Sequence, residues 1–136
     1  MKHVLIVDDN IIIADTLKLI LGACIRDVSF RTAANGKEAV EILQSRPVDL
    51  ILTDINMPVM DGYQLIEYRN QHHPRVPLVV MTADASQDVV RRLSMLGITD
   101  CLEKPLSYET VTRMFLEKLA ADEPAPALGA NVAICR

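Results

Sequence analysis

The chain has 136 residues and a formal net charge of −4, and half of its residues are hydrophobic while only 4% are aromatic. This length suits one ordinary domain with a sizeable core, built from Leu, Ile, Val, Ala and Met. No basic run is present, which argues against nucleic acid as a direct partner, and no stretch approaches the roughly 18 apolar residues of a membrane span.

Three cysteines at wide spacing, Cys24, Cys101 and Cys135, are typical of reduced thiols rather than of a disulfide framework or a zinc site. The N-terminus passes directly into a strand-like run and lacks the small-residue cleavage site of a signal peptide. We therefore expect a cytoplasmic protein that does not enter a membrane.

Strand-like and helix-like segments alternate along the chain. Short apolar or β-branched runs predict strands at residues 4–7, 28–33, 48–53, 78–82 and 98–103. Apolar residues at helical spacing, with capping and breaking residues beside them, predict helices at about 10–23, 63–71, 86–96 and 107–119, and a short helix marked by residues 39, 40 and 43 that stops near Pro47. This alternation predicts an α/β fold with a parallel sheet, helices on both faces and right-handed crossovers.

Two further features of the sequence concern its C-terminal tail and its first helix. Residues 122–136 have the composition of a linker, so we expect one domain over residues 1–121 and a disordered tail after it. In the first helix, Ile12 and Leu19 lie off the apolar face and near the rim of the expected site. Exposed apolar side chains often mark contacts, so these two are candidates for docking a partner, although a rotated helix would bury them.

Polar side chains collect where the predicted strands end. The apolar run 48–53 delivers Asp54 to its carboxyl end, Asp8 and Asp9 follow the first strand, and Thr82 and Lys104 stand at the ends of the fourth and fifth. In an open parallel sheet these ends face the ligand crevice. Each residue taken alone has a structural explanation, as a helix cap, a strand residue or a solvated charge. Because all of them stand at strand ends, a shared functional site is favoured over separate structural roles.

The charges of this group indicate which ligand it binds. Carboxylates about 5 Å apart repel by roughly 3 kcal/mol per pair at an effective dielectric of about 20. Lys104 offsets part of this repulsion, but one ammonium does not balance three acids, so a divalent ion is expected. All-oxygen ligands select a hard cation, Mg²⁺ before Ca²⁺ or Zn²⁺. A hydroxyl and an ammonium beside such an ion suit a phosphoryl group, and a carboxylate held there is a candidate nucleophile.

On these residues the sequence resembles the receiver domains of bacterial two-component response regulators, from residue 2 to about residue 121. The similarity is carried by the pair Asp8-Asp9, the run DINMPVMDG at 54–62, Thr82-Ala83 and Lys104-Pro105. It implies a flavodoxin-like, doubly wound five-stranded sheet with strand order 2-1-3-4-5.

The resemblance also implies roles. Asp54 would accept a phosphoryl group from a histidine kinase or a histidine phosphotransfer protein, and the domain would catalyse only its own phosphorylation and dephosphorylation. Asp9, Asp54 and the backbone carbonyl of Asn56 would bind Mg²⁺ directly, and Asp8 would bind it through water. Thr82 and Lys104 would contact the phosphoryl oxygens, and the shift of Thr82 would re-pack the last two strands and their helices.

One position departs from the family pattern. The residue three before Lys104 usually carries a ring that swings inward behind the threonine, and here it is Cys101. A thiol moves far less surface than a ring, so we expect a modest response on the face from Cys101 onward. A packed small hydrophobe without a signalling role is the alternative.

Other classes and contexts stay open at this point. The Asp, Thr, Lys set also resembles that of Mg²⁺ phosphatases of the haloacid-dehalogenase type. Those carry a second acid two residues after the nucleophile, where this chain has Asn56. A nucleotide or flavin module would need a Gly-rich loop after the first strand, which is missing. The chain is either a single-domain receiver or a piece of a longer protein.

Overall fold

The computed structural model of the chain describes residues 1–120, and the tail predicted at 122–136 lies outside them. Strands and helices alternate strictly, as the sequence pattern predicts. In chain order they are β1 (Lys2–Val7), α1 (Ile11–Cys24), β2 (Val28–Ala33), α2 (Gly36–Ser45), β3 (Leu50–Asp54), α3 (Gly62–His72), β4 (Leu78–Thr82), α4 (Gln87–Met95), β5 (Cys101–Glu103) and α5 (Tyr108–Ala120). No helix among these is long and apolar enough to cross a membrane.

The five strands form one parallel sheet in the order β2-β1-β3-β4-β5, which confirms the predicted fold class. One face of the sheet packs on α2, α3 and α4 through a buried cluster that includes Leu5, Leu65 and Leu93. The other face packs on α1 and α5 through a second cluster around Leu21 and Phe115. The central strands are buried on both faces, which explains their uninterrupted apolar sequences.

The register of the sheet brings the carboxyl ends of the central strands level with one another. Val7 of β1 pairs with Thr53 of β3, so the residues that follow them, Asp8 and Asp54, end these strands side by side. Thr82 ends β4, the strand that lies next to β3 on the far side from β1. The sheet therefore gathers at one edge side chains that are far apart in sequence.

Helix α1 has the rotation that its apolar pattern predicts. Asn10 caps it, because its side chain accepts hydrogen bonds from the amides of Ile12 and Ile13. Leu17 and Leu21 are buried, whereas Ile12 and Leu19 are 73% and 74% exposed. A rotated helix that buries them is thereby excluded.

The structure departs from the prediction at the last strand and at one residue of α4. The last strand begins at Cys101 rather than at residue 98, because Gly97 turns the chain with a φ of 83° and the amide of Ile98 bonds back to the carbonyl of Leu93. Ile98 is buried in the core without joining the ladder. Val90, assigned by its spacing to the apolar face of α4, is 45% exposed, because that helix turns Leu93 into the core instead.

The loop after β3 closes on itself at Gly62. The Gly62 amide donates to the carbonyl of Ile55 at 2.8 Å, and Asp61 forms a reciprocal capping box with Gln64 at the start of α3. A Cβ at position 62 would come within 2.7 Å of the Ile55 Cα and even closer to the carbonyl oxygen of Asp54. Only glycine therefore lets α3 start directly beneath the end of β3.

We expect Gly62→Ala to lower the free energy of unfolding by about 1–3 kcal/mol, because rigid backbone must move to admit the methyl group. Gly22→Ala is the matched control, since a Cβ there meets only the Phe30 ring at an ordinary 3.6 Å. In the helical position of Gly22 alanine should be neutral or stabilise by up to about 1 kcal/mol. Urea unfolding measures both, and equal effects of the two substitutions would contradict the close approach at Gly62.

Candidate functional site

Three carboxylates meet where β1 and β3 end. One oxygen each from Asp8, Asp9 and Asp54 lies within 4.8 Å of the others. Asp8 and Asp54 are 2% and 8% exposed, whereas Asp9 is open to solvent. Because charges this close and this buried repel strongly, the cluster needs a cation beside it.

The ammonium of Lys104 supplies positive charge from the end of β5. Its Nζ donates to Asp8 Oδ2 at 2.8 Å and to Asp54 Oδ2 at 3.2 Å, so it bridges the two buried acids. Partial burial lowers the pKa of Lys104, but hydrogen bonds and charge from Asp8 and Asp54 raise it by more. The net pKa lies above its ordinary value, so Lys104 is charged at neutral pH.

Backbone amides fix the remaining oxygens of the two buried acids. Asp8 Oδ1 accepts from the amide of Asn10 at 2.9 Å, and Asp54 Oδ1 accepts from the amide of Ile55 at 2.7 Å. Both carboxylates are thus held on two sides. Sequence reasoning did not identify these two donors, because every residue carries an amide and only the local fold decides where it points.

Asp9 differs from its neighbours. Its carboxylate belongs to the cluster but accepts no hydrogen bond from another residue in the described part of the chain. Of the three acids, Asp9 is therefore the one whose carboxylate oxygens both remain available to bind an added cation. The chemistry of the donor set, three carboxylates and no His or Cys, fits a hard divalent ion.

Thr82 and Asn56 stand at the edges of this group. Thr82 is buried, and its hydroxyl donates to the Asp84 carbonyl at 3.2 Å and accepts from the Asp84 amide at 3.0 Å, so it is engaged with the loop and not with an acid. Asn56 is exposed in the loop after β3, two residues beyond Asp54. Within residues 1–120 its side chain makes no hydrogen bond.

Cys101 lies half-buried on β5 against the cluster of α2, α3 and α4. It pairs with Val80, two residues before Thr82 on the neighbouring strand, and so sits behind the threonine on the same face of the sheet. Burial first, and then the charge of Glu103, raises the pKa of the Cys101 thiol, which therefore stays protonated at neutral pH. No aromatic side chain occupies this position.

Comparison with known proteins agrees with this geometry. The family model of the response regulator receiver domain matches residues 4–115, so the chain belongs to that family. Among solved structures, the CheY-like receiver domain protein of Methanospirillum hungatei JF-1 superposes with a TM-score of 0.82 at 27% identity, over 89% of this chain and 95% of that one. The signal receiver domain of a histidine kinase from Syntrophus aciditrophicus gives a TM-score of 0.81 at 27% identity, covering 94% of this chain and 97% of the other.

Curated relatives are longer proteins that contain such a domain. Response regulator protein PilR of Pseudomonas aeruginosa is 36% identical over 123 residues, which are 90% of this chain and 27% of that protein. The DNA-binding transcriptional regulator NtrC of Escherichia coli strain K12 is 35% identical over 76% of this chain and 22% of its own. Sensor histidine kinase RcsC of Escherichia coli is 32% identical over 79% of this chain and 11% of its own. The chain therefore spans only about a quarter or less of these relatives.

We expect Lys104→Met to lower the free energy of unfolding at pH 7, without divalent ions, by about 1–3 kcal/mol, because two buried carboxylates lose their cation. Lys118→Met is the control. Its ion pair with Asp100 is nearly one-third exposed, at 29% and 30% of the two side chains, so its loss should cost at most about 1 kcal/mol.

The stability difference between the natural chain and Lys104→Met should also depend on pH. Because the pKa of Lys104 is raised in the folded state, its stabilisation is fully present below the ordinary lysine value of about 10.4 and is lost as the pH rises through the folded-state pKa. The difference in unfolding free energy between the natural chain and Lys104→Met should stay constant from about pH 7 to 9 and shrink above about pH 10.5. A difference that persists unchanged at high pH would show that the methionine acts through packing.

Proposed function

We propose that this receiver domain accepts a phosphoryl group on Asp54. The observation that carries the proposal is the fixed position of this carboxylate, held by Lys104 on one oxygen and by the Ile55 amide on the other. A carboxylate oxygen attacks the phosphorus of a phosphohistidine, the P–N bond breaks, and the leaving imidazole keeps the electron pair and takes a proton. The product is an acyl phosphate on Asp54.

The acidic cluster supports a requirement for Mg²⁺. The ion would bind to Asp9, Asp54 and the backbone carbonyl of Asn56, and its chemistry would be to neutralise charge on the transferring phosphoryl group. Asp8 already accepts from Lys104 and from the Asn10 amide, which suits contact through water rather than a direct bond. Lys104 would exchange one of its carboxylate partners for an oxygen of the phosphoryl group, and its positive charge would remain at the site.

No comparison favours the phosphatase alternative, and the acid that such enzymes need two residues after the nucleophile is Asn56 in this chain. We therefore propose no reaction on other substrates: the domain catalyses only its own phosphorylation and dephosphorylation, in the cytoplasm. Relatives such as NtrC and RcsC join the domain to other parts, so the output of this chain lies with a partner or with a further segment.

The signal would leave the site through Thr82. To reach a phosphoryl oxygen its hydroxyl must release Asp84, whose carboxylate accepts from the amide of Ser86, the N-cap of α4. This chain of contacts runs directly from the site to the start of α4. That helix has Leu93 as its fully buried side chain, so its position depends on few core contacts.

Besides the shared core cluster, two side-chain contacts join α3 to α4 and to the residue that ends α4. The Arg92 guanidinium lies 3.6 Å from the centre of the Tyr63 ring, and the Asn70 side chain donates to the carbonyl of Leu96 at 2.9 Å. Tyr63, Asn70 and Leu96 are half-buried, and Arg92 is exposed. A shift of the loop at Asp84 would therefore be felt first at α4 and its junction with α3.

The phosphodonor would dock on α1. Ile12 and Leu19 are exposed, as is Ile11 at 69%, and this apolar patch begins two residues after Asp9. A histidine kinase or a histidine phosphotransfer protein with an apolar helical surface fits such a patch.

Acetyl phosphate with Mg²⁺ should add one phosphoryl group to the chain, detected by mass, because of the two carboxylates bridged by the ammonium of Lys104 the Asp54 side chain is partly exposed, at 11%, whereas that of Asp8 is at 0%. Asp54→Asn or EDTA should abolish the labelling. Asp15→Asn, which removes an exposed acid of α1, should leave it intact. Labelling that survives both Asp54→Asn and EDTA would refute the proposal.

Beryllofluoride with Mg²⁺ should shift amide resonances strongly at residues 54–62 and 82–86 and only modestly from Cys101 to Leu119. The reason is that a thiol moves little surface, whereas a ring buries roughly 150–250 Å². Cys101→Tyr should enlarge the response of the latter face, and Cys101→Ala should leave it unchanged. Equally large shifts in the loops at 54–62 and 82–86 and in the segment from Cys101 to Leu119 would contradict the expectation that Cys101 transmits little of the change.

The double substitution Ile12→Ser and Leu19→Ser should slow phosphotransfer from a donor protein at least about fivefold, as for an interface contact worth about 1 kcal/mol. Labelling by acetyl phosphate and the unfolding midpoint should not change, since both side chains are exposed. Met95→Ser, at 83% exposure on α4, is the matched apolar control and should have no effect on transfer. An equal loss with both donors would assign the residues to the site or the core.

A further inference from the structure

A cavity of about 110 Å³ lies at the opposite end of the sheet from Asp54. It opens between the first residues of β1 and β2 and the end of α2, and its walls include His3, Ser29, Arg31, Ile42, Arg46 and Val48. Along β1, His3 is separated from Asp8 by about 17 Å of extended chain, so the cavity is distinct from the acidic site. The volume has room for several water molecules or a small ligand.

The cavity exists because α2 is shorter than the strands it covers. α2 has ten residues, about 15 Å of helix, whereas β1 and β2 have six residues each, about 20 Å of strand. The helix begins next to the carboxyl end of β2 and stops before the amino ends of the strands are covered. At the uncovered end, the side chains of β1 and β2 that face α2 are polar. Further along the same face of the sheet, the side chains are apolar and buried, as at Leu5 and Ala33.

Two arginines line this space. Arg31 lies on the edge strand and Arg46 caps the end of α2, and both are exposed. Neither guanidinium makes an ion pair or a hydrogen bond with another residue between 1 and 120. Forked donors of this kind bind phosphate and carboxylate groups bidentately.

The other polar groups of the cavity are already oriented. His3 Nδ1 and Ser29 Oγ share a hydrogen bond of 2.7 Å across the paired strands, which fixes the imidazole ring and leaves its Nε2 without a described partner. The carboxylate of Asp49 is the opposing charge nearby, and it accepts from the amide of His3 at 2.7 Å, so it is bound to the backbone of β1. The negative end of the α2 dipole also opposes an anion, but the C-cap residue of α2, Arg46, carries a positive charge that offsets it.

We propose that this cavity binds a small oxyanion, a phosphate or a carboxylate group carried on a few carbon atoms at most. Arg31 and Arg46 bind the oxygens, the His3–Ser29 pair completes the polar wall, and the half-buried Ile42 and Val48 contact the apolar part of the ligand. None of the residues of this site belongs to the acidic cluster.

The test follows amide resonances of the full chain in EDTA, at constant ionic strength, during separate titrations with inorganic phosphate and with acetate. We expect saturable shifts at positions 3, 29, 31 and 46, with dissociation constants in the millimolar range, and no saturable shift at 8, 9 or 54. Tighter binding of phosphate or of acetate then identifies which oxyanion the cavity prefers.

Arg31→Gln combined with Arg46→Gln should weaken the binding at least about tenfold without moving the unfolding midpoint, because the two guanidinium groups make no described ion pair. Arg75→Gln combined with Arg113→Gln, two exposed arginines away from the cavity, removes the same charge and should leave the binding unchanged. Shifts that rise linearly with concentration, or equal weakening in both double variants, would overturn the proposal, as would an absence of shifts.

Discussion

The ammonium of Lys104 between the carboxylates of Asp8 and Asp54 is the contact on which the site depends. Two acids buried at one edge of a sheet are stable only if a cation compensates them, and here the cation comes from a strand that is not adjacent to either of theirs. The strands β3, β4 and β5 end at the same edge of the sheet. Lys104 directly follows β5 and can therefore reach both carboxylates. The order of the strands therefore also brings a compensating charge to the two acids.

The sheet separates two ends of different character. Its carboxyl end carries the acidic cluster and the ammonium that balances it, and its amino end carries the cavity with its two arginines. Between them lie fully buried strands without charges, such as β4 with its five buried residues. A charge added at either end is thus separated from the other by apolar core, and communication between the ends would need movement of the elements themselves.

The helices differ in how firmly the core holds them. α1 and α5 bury several large side chains each, including Leu21 and Phe115, in one cluster. α4 has only Leu93 fully buried, and its start is tied to the Thr82 hydroxyl through Asp84 and Ser86. Elements with few buried apolar contacts have the lowest free energy of local rearrangement. A switch that begins at Thr82 would consequently act on the helix that costs least to move.

Local pattern in the sequence determined the alternation of strands and helices, the exposed side of α1 and the residues that end each strand. These properties follow from the spacing of apolar residues and from capping and turn residues within a few positions, so no distant contact is needed to derive them. The charged residues of the site were also predictable, because parallel strands point their carboxyl ends to one edge and the run from Asp54 to Gly62 resembles that of a known family.

The tertiary structure alone decided which groups touch. The bridge from Lys104 to two acids, the engagement of Thr82 with Asp84 and the amide donors at Asn10 and Ile55 depend on register and loop geometry. The late start of β5 depends on how the chain turns at Gly97, and the exposure of Val90 depends on the rotation of α4 that turns Leu93 into the core. The cavity between β1, β2 and α2 results from a mismatch in length between elements that are distant in sequence, so no local pattern announces it.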